Sequence, residues 1–569
     1  MNCLPQISRR PRPLRSLLRG ALLAVALGAV AHRASADVVT DWNATLEAAL
    51  RNPTPSPDIQ VRSAAIVHVA IFDAVNGIAK KYAPLRVTTA APAGARAEAA
   101  AAQAAYTALV GLFPAKQAAF DTQLAASLAQ IAAGGGDTPS IAAGRTWGES
   151  VAREILAWRA TDGFTTVPPY TGSTAPGNWR HSSNATGPNA GLSMTVTAPF
   201  ALTNPAAFDP GPPYGFADRA AAMATAAYAA DLNEVKARGG AVSAVRTAAQ
   251  TDLARFINVT DPVDANALVR RLLPPTARLV DNARTFALLN IAATDALIVC
   301  FQSKYKYGLW RPFQAIPFAA DDGNAATIAD STWRPLGVTP PHPEYLSGHA
   351  LLNSAMLAVA GAILGDDTPF TFTTSNAGAP AITPAFASFS ALSDAITEAR
   401  INIGFHFRTS CTIGQATAYA VAGQIMRSAL LPQPGSGVIN LALRGRTGTG
   451  GETLIAGFVV GAGSRQVLIR GIGPALVPFG VTGALADPRV ILYDGAGRIV
   501  AENDNWSSGG ATVSAALTAA AGRAGAFPLT ANSLDAALLT MLAPGSYTVH
   551  LSGASTASGV ALIEAYEVP

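Results

Sequence analysis

Between residue 37 and about residue 432 the apolar positions recur every three to four residues, the period of a helix that buries one face. The pattern predicts helices over residues 58–78, 95–133 with a break near Pro114, 137–158, 217–233, 241–256, 277–307, 349–364, 386–404 and 411–430. The punctuation agrees. Gly134-Gly135-Gly136 stops one helix, and Asp137-Thr138-Pro139 offers an N-cap and an early proline to the next. Residues 163–216 break the period. Pro, Gly, Thr and Asn dominate there, the composition of a long irregular segment that covers a site or joins helix pairs. After Pro432-Gln433-Pro434-Gly435 the period falls to two. Residues 453–460, 466–470, 490–493, 547–551 and 560–568 read as short strands between glycine-rich turns. The expected fold is an all-α helical bundle over 37–432 followed by an all-β sandwich over 433–569.

The first 36 residues stand outside that pattern. Arginines at 9, 10, 12, 15 and 19 precede an apolar run, Ala21–Ala31, that is too short to span a bilayer. Ala34-Ser35-Ala36 has the small-x-small form of a cleavage site, so a signal peptide over 1–36 and a secreted or periplasmic mature chain from Asp37 are expected. Six of the 40 basic residues lie in this leader and none of the 36 acidic ones does, which leaves 34 against 36. The basic balance of the whole chain therefore gives no reason to expect a nucleic-acid partner. Hydrophobic residues make up 50%, but alanine supplies much of this and no further run approaches a membrane span, so no integral-membrane character is expected. Cys3 leaves with the leader. Cys300 and Cys411 are either buried free thiols or, in an exported protein, a bridged pair.

Chemistry concentrates between residues 304 and 406. Lys304 and Arg311 are seven apart on one predicted helix, and seven steps of about 100° return to nearly the same face. Pro312 then disrupts that helix. Leu309, Trp310, Phe313 and Ile316 around Arg311 imply burial, and a buried guanidinium needs an anion. Ser347-Gly348-His349 opens an apolar helix. A serine there is explained by capping alone, but a helix N-terminus also presents free amides, and Gly348 lets an oxyanion approach them. His349 would sit on the first turn beside that anion. Arg400 and His406, six apart, would diverge by about 120° on one helix. Gly404 between them offers a C-cap, so Arg400 should end a helix and His406 should enter from the next turn. Three cations, two histidines, a hydroxyl and a glycine amide suit a tetrahedral oxyanion and proton or nucleophile chemistry on it. By contrast, His68 on an apolar helix reads as a core histidine. Asn503-Asp504-Asn505 reads as a turn, with calcium as a minor alternative.

Together the three stretches resemble the signature of vanadium-dependent haloperoxidases and type 2 phosphatidic-acid (class A acid) phosphatases: Lys-x6-Arg-Pro, Pro-Ser-Gly-His and Ser-Arg-x5-His-x3-Asp. The flanks Asp281-Asn282-Ala283-Arg284, Asp295-Ala296, Leu309-Trp310, Pro341-His342-Pro343-Glu344-Tyr345 and Ala70–Asn76 are similar to the bacterial chloroperoxidase-like branch. The resemblance covers roughly residues 40–430 and excludes the β-module. It implies that Lys304, Arg311, Ser347, the Gly348 amide and Arg400 hold vanadate, that His406 is the metal ligand and that His349 is the acid–base group. Hydrogen peroxide, a halide and a small organic acceptor would be the partners. In the phosphatase alternative His406 is a nucleophile forming a phosphohistidine and His349 protonates the leaving group. A third reading is a non-catalytic protein whose β-module touches cell surface or matrix. Leu346, Ala399 and Ser410 depart from the signature. Ser410 stands where it has an aspartate, and losing that carboxylate would weaken a nucleophilic His406 more than a ligand His406. His342 occupies a position that is aromatic in chloroperoxidases and histidine in several bromoperoxidases. It therefore joins the candidate catalytic residues and points to bromide or iodide rather than chloride.

Overall fold

A 29-residue helix, Leu279–Tyr307, is the axis of the helical part. In this computed structural model, residues 37–180, 189–433, 440–461, 464–554 and 558–568 are described. The expected leader and the linker residues 434–439 lie outside them. The axial helix is apolar almost all round, which is the pattern of a helix enclosed by others. It packs against Pro57–Ala79, Gly348–Leu364 and Arg408–Ser428. Around this group stand Val38–Arg51, Ala97–Leu112, Gln117–Ala133, Thr138–Ala160, Ala226–Arg238, Ala248–Val259, Pro262–Leu272 and Phe389–Asn402. Pro57–Ala79 and Leu279–Tyr307 are long and apolar enough to cross a membrane, yet 83% and 94% of their most apolar stretches are buried inside the fold.

The alanine-rich composition serves close packing. A Cβ at Gly148 would stand 2.2 Å from the carbonyl oxygen of Ala100, so Thr138–Ala160 and Ala97–Leu112 nearly touch along their backbones. Among its described residues the irregular segment 163–216 holds only short 3₁₀ turns, as expected. It is tied to the axis by Asp295, whose buried carboxylate accepts the N–H groups of Phe200, Ala201 and Leu202 at 2.7, 2.8 and 2.9 Å. Asp73 fixes a second loop in the same way, through Leu85, Arg86 and Val87.

Two expectations need correction. Lys304 and Arg311 do not share a helix: the axial helix stops at Tyr307, and Gly308 takes the left-handed conformation (φ 55°) that ends it. Pro312 then begins a short helix, Pro312–Ala315, rather than ending the long one. The helices Val38–Arg51 and Pro262–Leu272 were also not foreseen. They open at Asp37 and Asp261, each in a capping box.

The C-terminal module is a pair of four-stranded antiparallel sheets. One has the order Asn440–Thr447, Gly559–Glu567, Arg465–Ile472, Ala536–Leu542, and the other Leu454–Val460, Gly545–Gly553, Pro488–Asp494, Ile499–Asn503. Ile469, Ala561 and Ile563 meet Val490, Leu492, Val549 and Leu551 in a core between them. An unforeseen helix, Gly510–Ala524, covers the outside of the first sheet, packing Leu517 and Ala520 against Leu468 and Tyr566. The Asn503 side chain serves the turn itself, donating to the Asn505 carbonyl and accepting from Ala537 N–H. Among the described residues no group of three or more His, Cys, Asp or Glu is arranged to hold a metal ion, so the calcium alternative finds no ligand cluster.

Candidate oxyanion site

Four chain segments meet at the C-terminal end of the axial helix. Lys304, in its last turn, is fully buried, and its Nζ donates to the carbonyls of Pro343 and Glu344, both at 3.0 Å. Arg311, the N-cap of the next short helix, is equally buried. Its Nε donates to the His342 carbonyl (2.6 Å) and its Nη1 to the Phe405 carbonyl (3.0 Å). Arg400 lies in the last turn of Phe389–Asn402, with Nη1 donating to Asn258 Oδ1 at 3.0 Å and the guanidinium over the Phe405 ring. Gly404 (φ 83°) turns the chain behind it and His406 follows, as the spacing suggested. The separately placed Lys304 and Arg311 still converge, because both are fastened to residues 342–344.

The three cations are at most 1% exposed. Among the described residues none forms a salt bridge with a carboxylate; their partners are carbonyls, an amide and imidazole rings. Burial pushes Lys304 down to about 8 and lowers both arginines below their ordinary values. Buried positive charge with no carboxylate bonded to it is costly, and an anion bound among the three would relieve it.

His406 is 2% exposed. Its Nδ1 lies 2.9 Å from Glu344 Oε1, and its Nε2 lies 3.5 Å from Arg311 Nη1. Burial, then the surrounding cations, hold His406, His349 and His342 well below the usual histidine range, so the rings are neutral. His342 stands against Arg311, with Nδ1 2.8 Å from Nη2 and its ring edge-on to Phe301. His349 is half-buried on the first turn of Gly348–Leu364, near Thr260 and in the field of Arg400. Ser347 is the N-cap of that helix but makes no capping hydrogen bond, and its buried Oγ has no hydrogen-bond partner. Capping therefore does not explain this serine. A Cβ at Gly348 would come within 3.9 Å of Lys304 Cε and Cys300 Sγ, so the glycine faces the lysine.

All the candidate site residues, Lys304, Arg311, His342, Ser347, Gly348, His349, Arg400 and His406, thus lie in one region. Two neighbours were missed. Asn258 fixes Arg400, and nothing in its own context marks it. Glu344 was visible only as part of a flank, although a carboxylate three residues before Ser347 is itself a signal. It corrects the reading of Ser410: the carboxylate absent at 410 is present at 344, on His406. Ser410 Oγ instead donates to the Glu344 carbonyl at 3.4 Å. Cys300 and Cys411 are both free and buried, so the bridged alternative falls. Burial raises both thiols, Cys411 to about 12.

These residues fit vanadate. Ser347 Oγ and Arg400 Nε are buried polar atoms without a hydrogen-bond partner, and His406 Nε2 makes a long contact, 3.5 Å, with Arg311 Nη1. Fold and site together give a helical bundle with a cluster of buried cations and histidines at one end of its axial helix. The family described as the VCPO second helical-bundle domain matches residues 284–431. The vanadium chloroperoxidase of Curvularia inaequalis is 36% identical over 86 residues, 13% of this chain and 14% of that relative's length. Among solved structures, a bacterial vanadium-dependent iodoperoxidase superposes with a TM-score of 0.58 at 22% identity, covering 70% of this chain and 97% of that one. An apo-type bacterial vanadium-dependent chloroperoxidase gives 0.50 at 16% identity, covering 66% and 94%. The helical part therefore has the vanadium haloperoxidase fold, and the β-module is an addition to it.

Proposed function

We propose that the chain is a vanadium-dependent haloperoxidase that uses hydrogen peroxide to oxidise a halide, bromide or iodide in preference to chloride, to hypohalous acid. One observation carries the reading: three buried cations without a carboxylate partner stand around a neutral histidine whose outward nitrogen lies 3.5 Å from Arg311 Nη1. Lys304, Arg311 and Arg400 would neutralise the oxygens of vanadate, with Ser347 Oγ and the Gly348 amide as further donors. His406 Nε2 would be the protein ligand. Bound vanadate would supply Lewis-acid activation of hydrogen peroxide. His349, half-buried and neutral, would take up the peroxide proton and return it to the departing oxygen. His342 beside Arg311 lends the halide subsite a polar edge, and the similarity to an iodoperoxidase is compatible with the halide preference. A small organic acceptor would consume the hypohalous acid. Secretion or periplasmic location through residues 1–36, a catalytic unit over 37–432 and surface or matrix attachment through the β-module belong to the same proposal.

The phosphatase alternative gains from Glu344. With a carboxylate on Nδ1, His406 has the partner a nucleophilic histidine needs, so Ser410 no longer argues against a phosphohistidine. Purified protein with vanadate, peroxide and bromide or iodide decides the matter. The proposal expects halogenation of a phenolic dye that requires vanadate and is blocked by phosphate. Hydrolysis of a phosphomonoester without vanadate, and no halogenation, would favour the phosphatase. Inactivity in both would leave a binding protein.

A further inference from the structure

Glu344 connects all the motifs at once. Its carbonyl accepts from Lys304 Nζ at 3.0 Å, it lies three residues before Ser347, and its carboxylate reaches His406 Nδ1 at 2.9 Å. The same oxygen, Oε1, also accepts the backbone N–H of Phe407 at 2.9 Å. That second bond fixes a direction. A backbone N–H can only donate, so Oε1 accepts there; with Glu344 as the carboxylate both of its oxygens only accept, and His406 Nδ1 then carries the hydrogen. Nε2 is left with a free lone pair beside Arg311. Glu344 is fully buried and Oε2 has no hydrogen-bond partner, so the carboxylate serves this one contact pair rather than solvent.

We infer that Glu344 is the positioning residue of His406: it fixes the Nδ1–H tautomer and the ring orientation that aim Nε2 at the bound oxyanion. This role would fall at position 410 by the motif, but here it comes from the loop that carries Ser347-Gly348-His349. The inference deepens the reading above and rests on His406 being the residue that bonds the bound group. Outer partners of a ligating histidine set its tautomer and basicity, and their loss typically weakens metal affinity by about 10–100-fold.

The test separates orientation from simple loss of structure. Vanadate and phosphate affinities are measured by calorimetry for the wild type, Glu344→Ala and Glu344→Gln. The tautomer of His406 is read from histidine ¹⁵N shifts of the protein without added anion and assigned with His406→Gln. Glu344→Ala should weaken vanadate by about 10–100-fold and leave phosphate, held by the cations alone, undiminished. Its His406 should lose the single Nδ1–H tautomer. Glu344→Gln keeps an accepting oxygen opposite Nδ1 and Phe407 N–H. It should retain the tautomer and stay within about threefold of wild-type vanadate affinity. Parallel loss of vanadate and phosphate in Glu344→Ala would make the residue merely structural and overturn the proposal. An unchanged tautomer in Glu344→Ala, or a glutamine variant as impaired as the alanine one, would also overturn it. A wild type that binds no vanadate would refute the haloperoxidase reading instead, and the ¹⁵N spectra would still decide the role of Glu344.

Discussion

Lys304 makes the anion affinity of the pocket depend on pH. It is fully buried, and burial holds its ammonium at about 8, far below an ordinary lysine. An anion binds best when the ammonium keeps its proton, so affinity is fully present below pH 8 and is lost as pH rises through that value. With a pKa of about 8, roughly nine-tenths of the empty sites carry the charge at pH 7 and roughly one-tenth at pH 9. Sulfate affinity should therefore fall about tenfold over those two units, or about 1.4 kcal/mol. Sulfate is the right probe because its own charge is constant over this range, and ionic strength must be held fixed. Burial lowers Arg311 to about 10 and Arg400 to about 9, but a guanidinium is not deprotonated in proteins, so both stay charged and the upper limb belongs to Lys304. Glu344, raised by burial to about 7, gains its charge at the lower end and repels the anion there. Lys304→Met separates the two: it should keep the limb near pH 7 and lose the one near pH 8. At pH 7 it should also bind sulfate about 10–100-fold more weakly, the worth of one charge-assisted contact. Titration calorimetry from pH 6 to 9.5 reads all of this. A flat wild-type profile, or a methionine variant with an unchanged upper limb, would refute the reasoning.

Other expectations follow from single positions. Gly404→Ala would force a side chain to φ 83° with its Cβ 2.3 Å from the Gly239 carbonyl oxygen, so it should cost at least ~2 kcal/mol in denaturant unfolding and weaken sulfate by displacing Phe405 and His406. Asp295→Ala would leave three N–H groups of the 200–202 loop without their acceptor and should destabilise the helical part by about 3 kcal/mol or more, seen as a lower melting temperature. His68 is fully buried and held neutral at about 3 by desolvation, while its unfolded value is about 6.5. Its depressed value gives stability that is present above pH 6.5 and lost as pH falls from there toward 3. His68→Leu should therefore remove about 2–3 kcal/mol of the loss between pH 7 and pH 4.5, read from urea midpoints at both values. Equal losses in variant and wild type would exclude His68 as a source of acid sensitivity.

The helical period and the break after Pro432 were legible because one-sided burial imposes them. The site residues were legible because their types are costly to bury and so stand out among apolar neighbours. What stayed hidden depends on three-dimensional return of the chain. The expected helix 277–307 ends just before Gly308, yet the spacing puts Lys304 and Arg311 on one helix; the left-handed Gly308 separates them. Glu344 sits 62 residues before His406 in sequence, and nothing local says that the two meet. Ser410 was read as a lost carboxylate for the same reason: a motif records positions, whereas chemistry needs only an oxygen at Nδ1. Asn258 is another 142 residues from its partner Arg400. The helix Gly510–Ala524 was hidden by its small, weakly patterned residues, which read as loop between strands.

The central claim is that this pocket holds vanadate with His406 as the protein ligand. A crystal structure of the protein grown or soaked with vanadate tests it most directly, through the anomalous signal of vanadium. The account predicts a vanadium atom bonded to His406 Nε2, its oxygens surrounded by Lys304, Arg311, Ser347, the Gly348 amide and Arg400. Vanadium bound elsewhere, or held among the cations with His406 Nε2 turned away, would contradict it.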